Sequence, residues 1–404
     1  MKVLVADKFE EAGLYALREG GCEVVYEPSL EGDLLRDALS RTGAAVLIVR
    51  STKVTEPMMD ATRSLNLIVR SGAGVNTIDT KAASMRSILV ANCPGKNAIA
   101  VAELTFALIL ALDRRIVDNV VDLRRGVWNK KEYSVARGLK GRTLGVLGLG
   151  PIGQAVVQRA HAFEMPVIAW SRSLTPAAAK AMGLLSYATP AEVAAHCDIL
   201  SIHLPAAPET KNIVSADVLN RLRLGSFLIN TSRADVLDHK ALAIAVKEKS
   251  LRVGLDVYPN EPAGGDGEFK DALVQAGGVI YGTHHIGAST DQAQAAIAEE
   301  TVRIVTTYMR TGRVENCVNL CARSAARYVV VVRHRNRPGV LAHTLGAIRA
   351  AGINVEEMEN VICEGAKAAC AQIKLTARPS ETVLAQIQTG HEHVLGVSVF
   401  SVAD

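Results

Sequence analysis

The sequence predicts an α/β protein: two successive parallel sheets covered by helices, then a small β-α-β-β-α-β unit. Three observations lead there. Short strand-like runs rich in branched apolar residues alternate with helical patterns from the N-terminus to beyond residue 300. A glycine turn at Gly148–Gly153 opens the second series of strands. Around Cys321–Arg327 the composition changes, and the residues beyond follow a different order.

The first series is Val3–Ala6, Glu23–Tyr26, Ala45–Val49, Leu67–Val69 and Ile88–Ala91. Continuous apolar strands between helices imply a parallel sheet buried on both faces. One long helical segment is expected from Asn97 to Arg125. Its most apolar part, Ala98–Leu112, is interrupted by Glu103 and is too short for a bilayer, so it reads as a buried helix. The second series has six strands: Leu144–Leu147, Val167–Trp170, Ile199–His203, Phe227–Asn230, Gly254–Val257 and Val279–Tyr281. The helical pattern after Gly287 is expected to return to the first sheet. The tail reads as strand Tyr328–Arg333, helix Val340–Ala351, hairpin Glu357–Cys363 and Ala368–Leu375, helix Ser380–Thr389 and strand Val394–Val402, a ferredoxin-like order.

Composition excludes several classes. The 404 residues suffice for two or three domains, and 49% hydrophobic with 21% charged residues is ordinary for a globular protein. A net charge of +4 without a basic block argues against nucleic acid. The N-terminus turns acidic before a signal-peptide core could form, so a cytoplasmic protein without membrane attachment is expected. Seven cysteines without a C-x-x-C pair read as free thiols, and no metal site is expected.

Chemistry enters with Thr143–Gly153, TLGVLGLGPIG. An apolar run ends in Gly148-Leu149-Gly150-Pro151-Ile152-Gly153 and then turns helical. In that context G-x-G-x-x-G is a pyrophosphate cradle. The first glycine permits the turn, the second admits the phosphates, and the third lets helix pack on strand. The second series is therefore a Rossmann doubly wound sheet binding NAD. An acid expected some 20 residues on is absent. Ser171 and Arg172 stand there, which leaves NADP open.

Three polar residues follow later strands of this series: Arg233, Glu261 and His285. A guanidinium can clamp a carboxylate and polarise a 2-oxygen. An imidazole can take the hydroxyl proton, and a carboxylate can orient that imidazole. The set suits oxidation of a 2-hydroxy acid. Of the adjacent His284 and His285, the position before Ile286-Gly287 favours His285.

The motifs NTSR (230–233), LDVYPNEP (255–262), HIG (285–287), GLGPIG, SGAGVNTID (71–79), NCPGKNAIAVAEL (92–104) and HLPAAPETKN (203–212) resemble those of the D-isomer-specific 2-hydroxyacid dehydrogenases. Within that family they resemble the branch that oxidises 3-phosphoglycerate in serine synthesis. The resemblance implies a flavodoxin-like substrate domain, 1–96 completed by 286–320, a cofactor domain at 97–285 and a regulatory domain at 325–404. It implies that Arg233, Glu261 and His285 are catalytic. Cofactor contacts would come from Gly148, Gly150, Pro151, Ile152, Gly153, Ser171, Arg172, His203, Pro205 and Thr231, with Asp256 meeting the nicotinamide carboxamide. Ser71, Gly72, Ala73, Gly74 and Asn97 would line the substrate site. Arg50 would grip the substrate phosphate, supplemented by Lys130 from the same or a neighbouring subunit. Homodimers or tetramers are implied. One departure is Ala234, where the family usually has glycine; a methyl fits if φ is negative. Two other readings stay open: a hydroxypyruvate/glyoxylate reductase, and a sensor or corepressor in which catalysis has lapsed.

The tail resembles an ACT domain, a small-molecule sensing module, through His334-Arg335-Asn336-Arg337-Pro338-Gly339-Val340-Leu341. That resemblance implies that His334, Asn336 and Asn354 bind L-serine as an effector, often across a subunit interface. The alternative is a tail that serves dimerisation alone.

Overall fold

The computed structural model describes residues 1–262, 267–275, 278–321 and 323–402. Residue 404, the expected end of the tail, lies outside them. The chain forms two compact units, Met1–Asn319 and Leu320–Asp404.

In the first unit, strands β1 (Lys2–Val5), β2 (Glu23–Tyr26), β3 (Val46–Val49), β4 (Leu67–Arg70) and β5 (Leu89–Asn92) pair in parallel in the order β2-β1-β3-β4-β5, a flavodoxin-like sheet. Successive side chains point to opposite faces. Val3 and Val5 therefore pack with Leu14, Leu17, Ile304 and Val305, while Leu4 and Ala6 pack with Leu35, Leu39 and Ile68. Ile304 and Val305 belong to the helix Asp291–Thr311, so this late helix does return to the first sheet. Its buried positions, among them Ile297, Thr301, Ile304 and Val305, recur at helical spacing.

The second sheet has seven parallel strands: β6 (Leu144–Leu147), β7 (Val167–Trp170), β8 (Leu185–Ser186), β9 (Ile199–Ile202), β10 (Phe227–Asn230), β11 (Arg252–Leu255) and β12 (Ile280–Gly282). Their order is β8-β7-β6-β9-β10-β11-β12, the doubly wound Rossmann arrangement. The sequence reading gave six. The seventh, β8, has only two residues, too few for any periodicity. β11 begins two residues before the expected Gly254, because Arg252 pairs with Phe227. That register leaves Asp256 just beyond the strand. The expected helix Asn97–Arg125 is two, Ala98–Arg114 and Ile116–Arg124. They break at Arg115, which has a left-handed φ of 50° and whose side chain ties Asp118 to Glu132.

In the second unit, β13 (Tyr328–Arg335), β14 (Val355–Ile362), β15 (Ala368–Leu375) and β16 (Val394–Ser401) form an antiparallel sheet in the order β14-β15-β13-β16, with helices Val340–Ala350 and Glu381–Thr389. Val330, Val332, Ile348, Ile373 and Ile387 make its core, a ferredoxin-like packing. Among the described residues, no helix is long and apolar enough to cross a membrane.

Candidate active site

Every candidate residue of the second sheet follows the C-terminal end of a parallel strand. Gly148 follows β6, Ser171 follows β7, His203 follows β9, Arg233 follows β10, Asp256 follows β11 and His285 follows β12. The chain leaves β6 to opposite sides at β7 and β9, which opens a crevice there.

Each glycine of the turn has its own physical reason. Gly148 has φ +95°, and a Cβ on it would collide with the His203 carbonyl oxygen. A Cβ on Gly153 would collide with the Gly148 carbonyl oxygen, so helix Pro151–Ala162 rests directly on the turn. Nothing lies within 4 Å of a Cβ on Gly150. That open flank, in front of a helix that starts with Pro151 and Ile152, fits a dinucleotide pyrophosphate.

Arg233, Glu261 and His285 line one cavity of about 330 Å³, together with Arg70, Gly74 and Asn76. His285 Nδ1 lies 2.7 Å from Glu261 Oε2, and the Tyr258 N–H donates to Glu261 Oε1 at 2.8 Å. Burial alone would raise the Glu261 pKa. The bonds from His285 and Tyr258, with the charge of Arg233, outweigh it and hold the carboxyl below its ordinary value. The pairing occupies Nδ1 and leaves Nε2 for a substrate proton. His285 has a left-handed φ of 53°, a strained backbone for a residue with a Cβ. Asp256, 1% exposed, supports that strain: its carboxylate accepts from Thr283 Oγ1 at 2.6 Å and from the N–H groups of Ile286 and Gly287 at 2.8 and 2.9 Å. Only one acceptor position on Oδ2 remains for the carboxamide expected there. His284 is exposed and does not line this cavity.

Asn230 builds the Arg233 turn. Its Nδ2 donates to the Arg233 carbonyl at 2.9 Å, while its Oδ1 accepts from the Ser232 N–H and hydroxyl. Burial lowers the Arg233 pKa and Glu261 raises it, with a net lowering. Ala234 is absent from the positive-φ residues, so its methyl is accommodated. Thr231 is buried, its hydroxyl 2.9 Å from Thr105 Oγ1.

A cation that sequence reasoning missed, Arg70, ends β4 and lines the same cavity. Burial, then the charges of Arg233 and Arg50, push it down to about 10, so it stays charged at neutral pH. A Cβ on Gly72 would overlap the Arg70 guanidinium, and one on Gly74 would stand 2.6 Å from Arg233 Nη2. These glycines thus make room for the two cations. Ser71 and Ala73 do not line this cavity: the Ser71 hydroxyl meets Thr301 at 3.4 Å, and the Ala73 carbonyl accepts from Asn92 Nδ2. Arg50 follows Val49, the register partner of Arg70, but does not line the cavity. Its loop is held by Asp7, a second residue missed from sequence, whose Oδ2 accepts from the N–H groups of Arg50, Ser51 and Thr52. Asn97 has a buried Oδ1 with no partner.

Lys130 is not brought to the cavity by its own chain. It opens the four-residue helix Lys130–Tyr133, which is tied to helix Ile116–Arg124 through Tyr133 and Asp122. At the ribose end, Ser171 is half-buried and Arg172 exposed. His203 is 8% exposed, with Nε2 2.8 Å from Ser201 Oγ and Nδ1 unpartnered; burial pushes it down to about 3, so the ring is neutral. Pro205 follows on the same loop, its carbonyl accepting from Thr210.

The three expected effector residues do not converge within one chain. His334 is 2% exposed, with Nδ1 on the Arg335 carbonyl and Nε2 on Asn360 Oδ1. Asn336 donates to the Ala366 carbonyl. Asn354 precedes β14 at the end where Val355 pairs with Leu375 and Leu375 with Tyr328, while His334 pairs with Ala369 at the other end. That separation is about 20 Å along the strands.

Comparison with known proteins identifies the family. The family model for the D-isomer specific 2-hydroxyacid dehydrogenase NAD binding domain matches residues 106–287. D-3-phosphoglycerate dehydrogenase of Methanocaldococcus jannaschii is 35% identical over 79% of this chain and 60% of its own length. A putative D-3-phosphoglycerate dehydrogenase of Schizosaccharomyces pombe is 34% identical over 84% of this chain and 76% of its own. The structure of NAD⁺-bound 3-phosphoglycerate dehydrogenase from Entamoeba histolytica superposes with a TM-score of 0.66 at 26% identity, over 79% of this chain and 99% of that one. The chain spans about 60% of the length of several curated relatives that it matches, the Methanocaldococcus jannaschii protein among them. It belongs to the D-isomer-specific 2-hydroxyacid dehydrogenase family.

Proposed function

We propose that the chain oxidises 3-phosphoglycerate to 3-phosphooxypyruvate, the entry reaction of serine synthesis, using a nicotinamide dinucleotide. The observation that supports it most is the single cavity in which Arg233 and Arg70 face the His285–Glu261 pair. Arg233 binds the substrate carboxylate through two N–H groups and polarises the 2-oxygen. His285 Nε2 takes the hydroxyl proton, and the Glu261 carboxylate stabilises the resulting imidazolium from the Nδ1 side. Arg70 meets the phosphate inside the cavity, and Arg50, outside its lining on the adjoining loop, adds positive charge beside Arg70. The turn Gly148–Gly153, Ser171, Arg172, His203, Pro205, Thr231 and Asp256 hold the dinucleotide, which accepts the hydride from C2 when bound. In this reading residues 1–96 with 286–320 bind substrate, 97–285 bind cofactor, and 325–404 are a regulatory ACT domain.

Helix Ile116–Arg124 buries none of its residues in the chain and exposes Ile116, Val117 and Leu123, with Trp128 80% exposed beyond it. This face suits a homodimer of the cofactor domains. A second contact between tails would set Asn354 of one copy against His334 and Asn336 of another, which a single chain cannot do, and would make L-serine a feedback effector. A panel of 3-phosphoglycerate, glycerate and 2-hydroxyglutarate, with and without serine, tests the reading. Turnover of glycerate in preference to 3-phosphoglycerate refutes the phosphate role of Arg70 and Arg50. An absence of both serine binding and inhibition refutes the effector role.

A further inference from the structure

We propose that the ribose end of the cleft selects NADP over NAD through Ser171 and Arg172; this rests on the dinucleotide reading of the glycine turn. The position is set by the sheet. Leu147 pairs with Trp170, and the Gly148 N–H donates to the Trp170 carbonyl at 2.8 Å. Ser171 therefore stands directly beside the turn, where the adenosine ribose of a cradled dinucleotide falls.

NAD recognition uses a carboxylate there, because the two ribose hydroxyls are hydrogen-bond donors that one carboxylate can accept together. This chain has none to offer. Between Gly148 and Ala191 the sole acidic residue is Glu164. It precedes β7 at the opposite edge of the sheet and is bonded to Lys140 at 2.7 Å. No carboxylate of this segment would therefore repel a 2′-phosphate. Arg172 is exposed and, among the described residues, engages no carboxylate or carbonyl. Its fork of N–H donors matches a phosphate, and the Ser171 hydroxyl can donate to a phosphate oxygen. The electrostatic balance of the pocket thus favours the dinucleotide with the additional dianion.

Calorimetric titration of the full chain with NADPH and NADH tests this without turnover. NADPH is expected to bind about tenfold tighter or more, the scale of one charge-assisted contact. Arg172→Ala should weaken NADPH about tenfold more than NADH and so remove the preference, and Ser171→Asp should reverse it. Equal or tighter binding of NADH by the unaltered chain overturns the proposal, and so does an equal loss of both ligands in Arg172→Ala. If neither dinucleotide binds, the reading of the glycine turn fails as well.

Discussion

Gly74→Ala separates the cost of a methyl group to folding from its cost to function. An ideal Cβ on Gly74 would stand 2.6 Å from Arg233 Nη2, whereas ordinary contact begins near 3.4 Å. The guanidinium must then withdraw by the difference, about 0.8 Å. The clash is with the end of a flexible side chain, and Gly74 has no positive φ, so stability should change by less than about 1 kcal/mol. The withdrawal is not neutral for chemistry. Arg233 is held by the Nη1 bond to the Ser232 carbonyl at 2.6 Å and by the Asn230 turn, so a shift of its outer nitrogen would break the two-bond clamp proposed for the substrate carboxylate. Misplacement near 1 Å costs about 10²-fold. We expect kcat/KM for 3-phosphoglycerate to fall about 10–100-fold, with dinucleotide affinity and the melting temperature nearly unchanged. Steady-state kinetics alongside a thermal melt measures both. If kcat/KM stays within twofold, Arg233 does not clamp the carboxylate; if the protein unfolds, the clash is not with a movable group.

His285→Ala should lower kcat about 10²–10⁴-fold, read from turnover at saturating substrate; an unchanged kcat moves the acid/base role elsewhere, with His284 the first residue to replace. Gly153→Ala should destabilise the fold by about 1–3 kcal/mol in urea denaturation, because the new methyl meets the Gly148 backbone, whereas Gly150→Ala should leave stability intact and weaken dinucleotide binding. Glu300 is 6% exposed and bonded to Arg303 at 2.6 Å and Asn316 at 2.7 Å. Its bond to Arg303 first, then Lys96, outweighs burial and holds its pKa at about 2, below the unfolded value. A depressed carboxyl stabilises the fold above its unfolded pKa and loses that contribution as pH falls toward 2. Glu300→Gln should therefore cost about 2–3 kcal/mol at pH 7 and visibly less near pH 3.5; a pH-independent difference contradicts the linkage.

The sequence by itself determined the parallel sheets, the glycine turn and the positions of Arg233, Glu261 and His285. Each of these rests on local information: apolar runs, a G-x-G-x-x-G between strand and helix, and polar residues just past strand ends, where parallel sheets bind ligands. Tertiary structure decided what depends on residues distant in the chain. Arg70 has no motif of its own; the register of β3 and β4 pairs it with Val49, next to Arg50, and folding brings it into one cavity with Arg233. Asp7 and Asp256 carry no motif that announces their backbone bonds to the Arg50 loop and the His285 turn. The break at Arg115 lies inside a helical pattern that continues through it, so periodicity could not reveal it. His334, Asn336 and Asn354 have the spacing of one site, yet strand direction carries Asn354 to the far end of the sheet. Spacing along a chain measures contour, whereas a binding site requires proximity in space, and only the packed sheets convert one into the other.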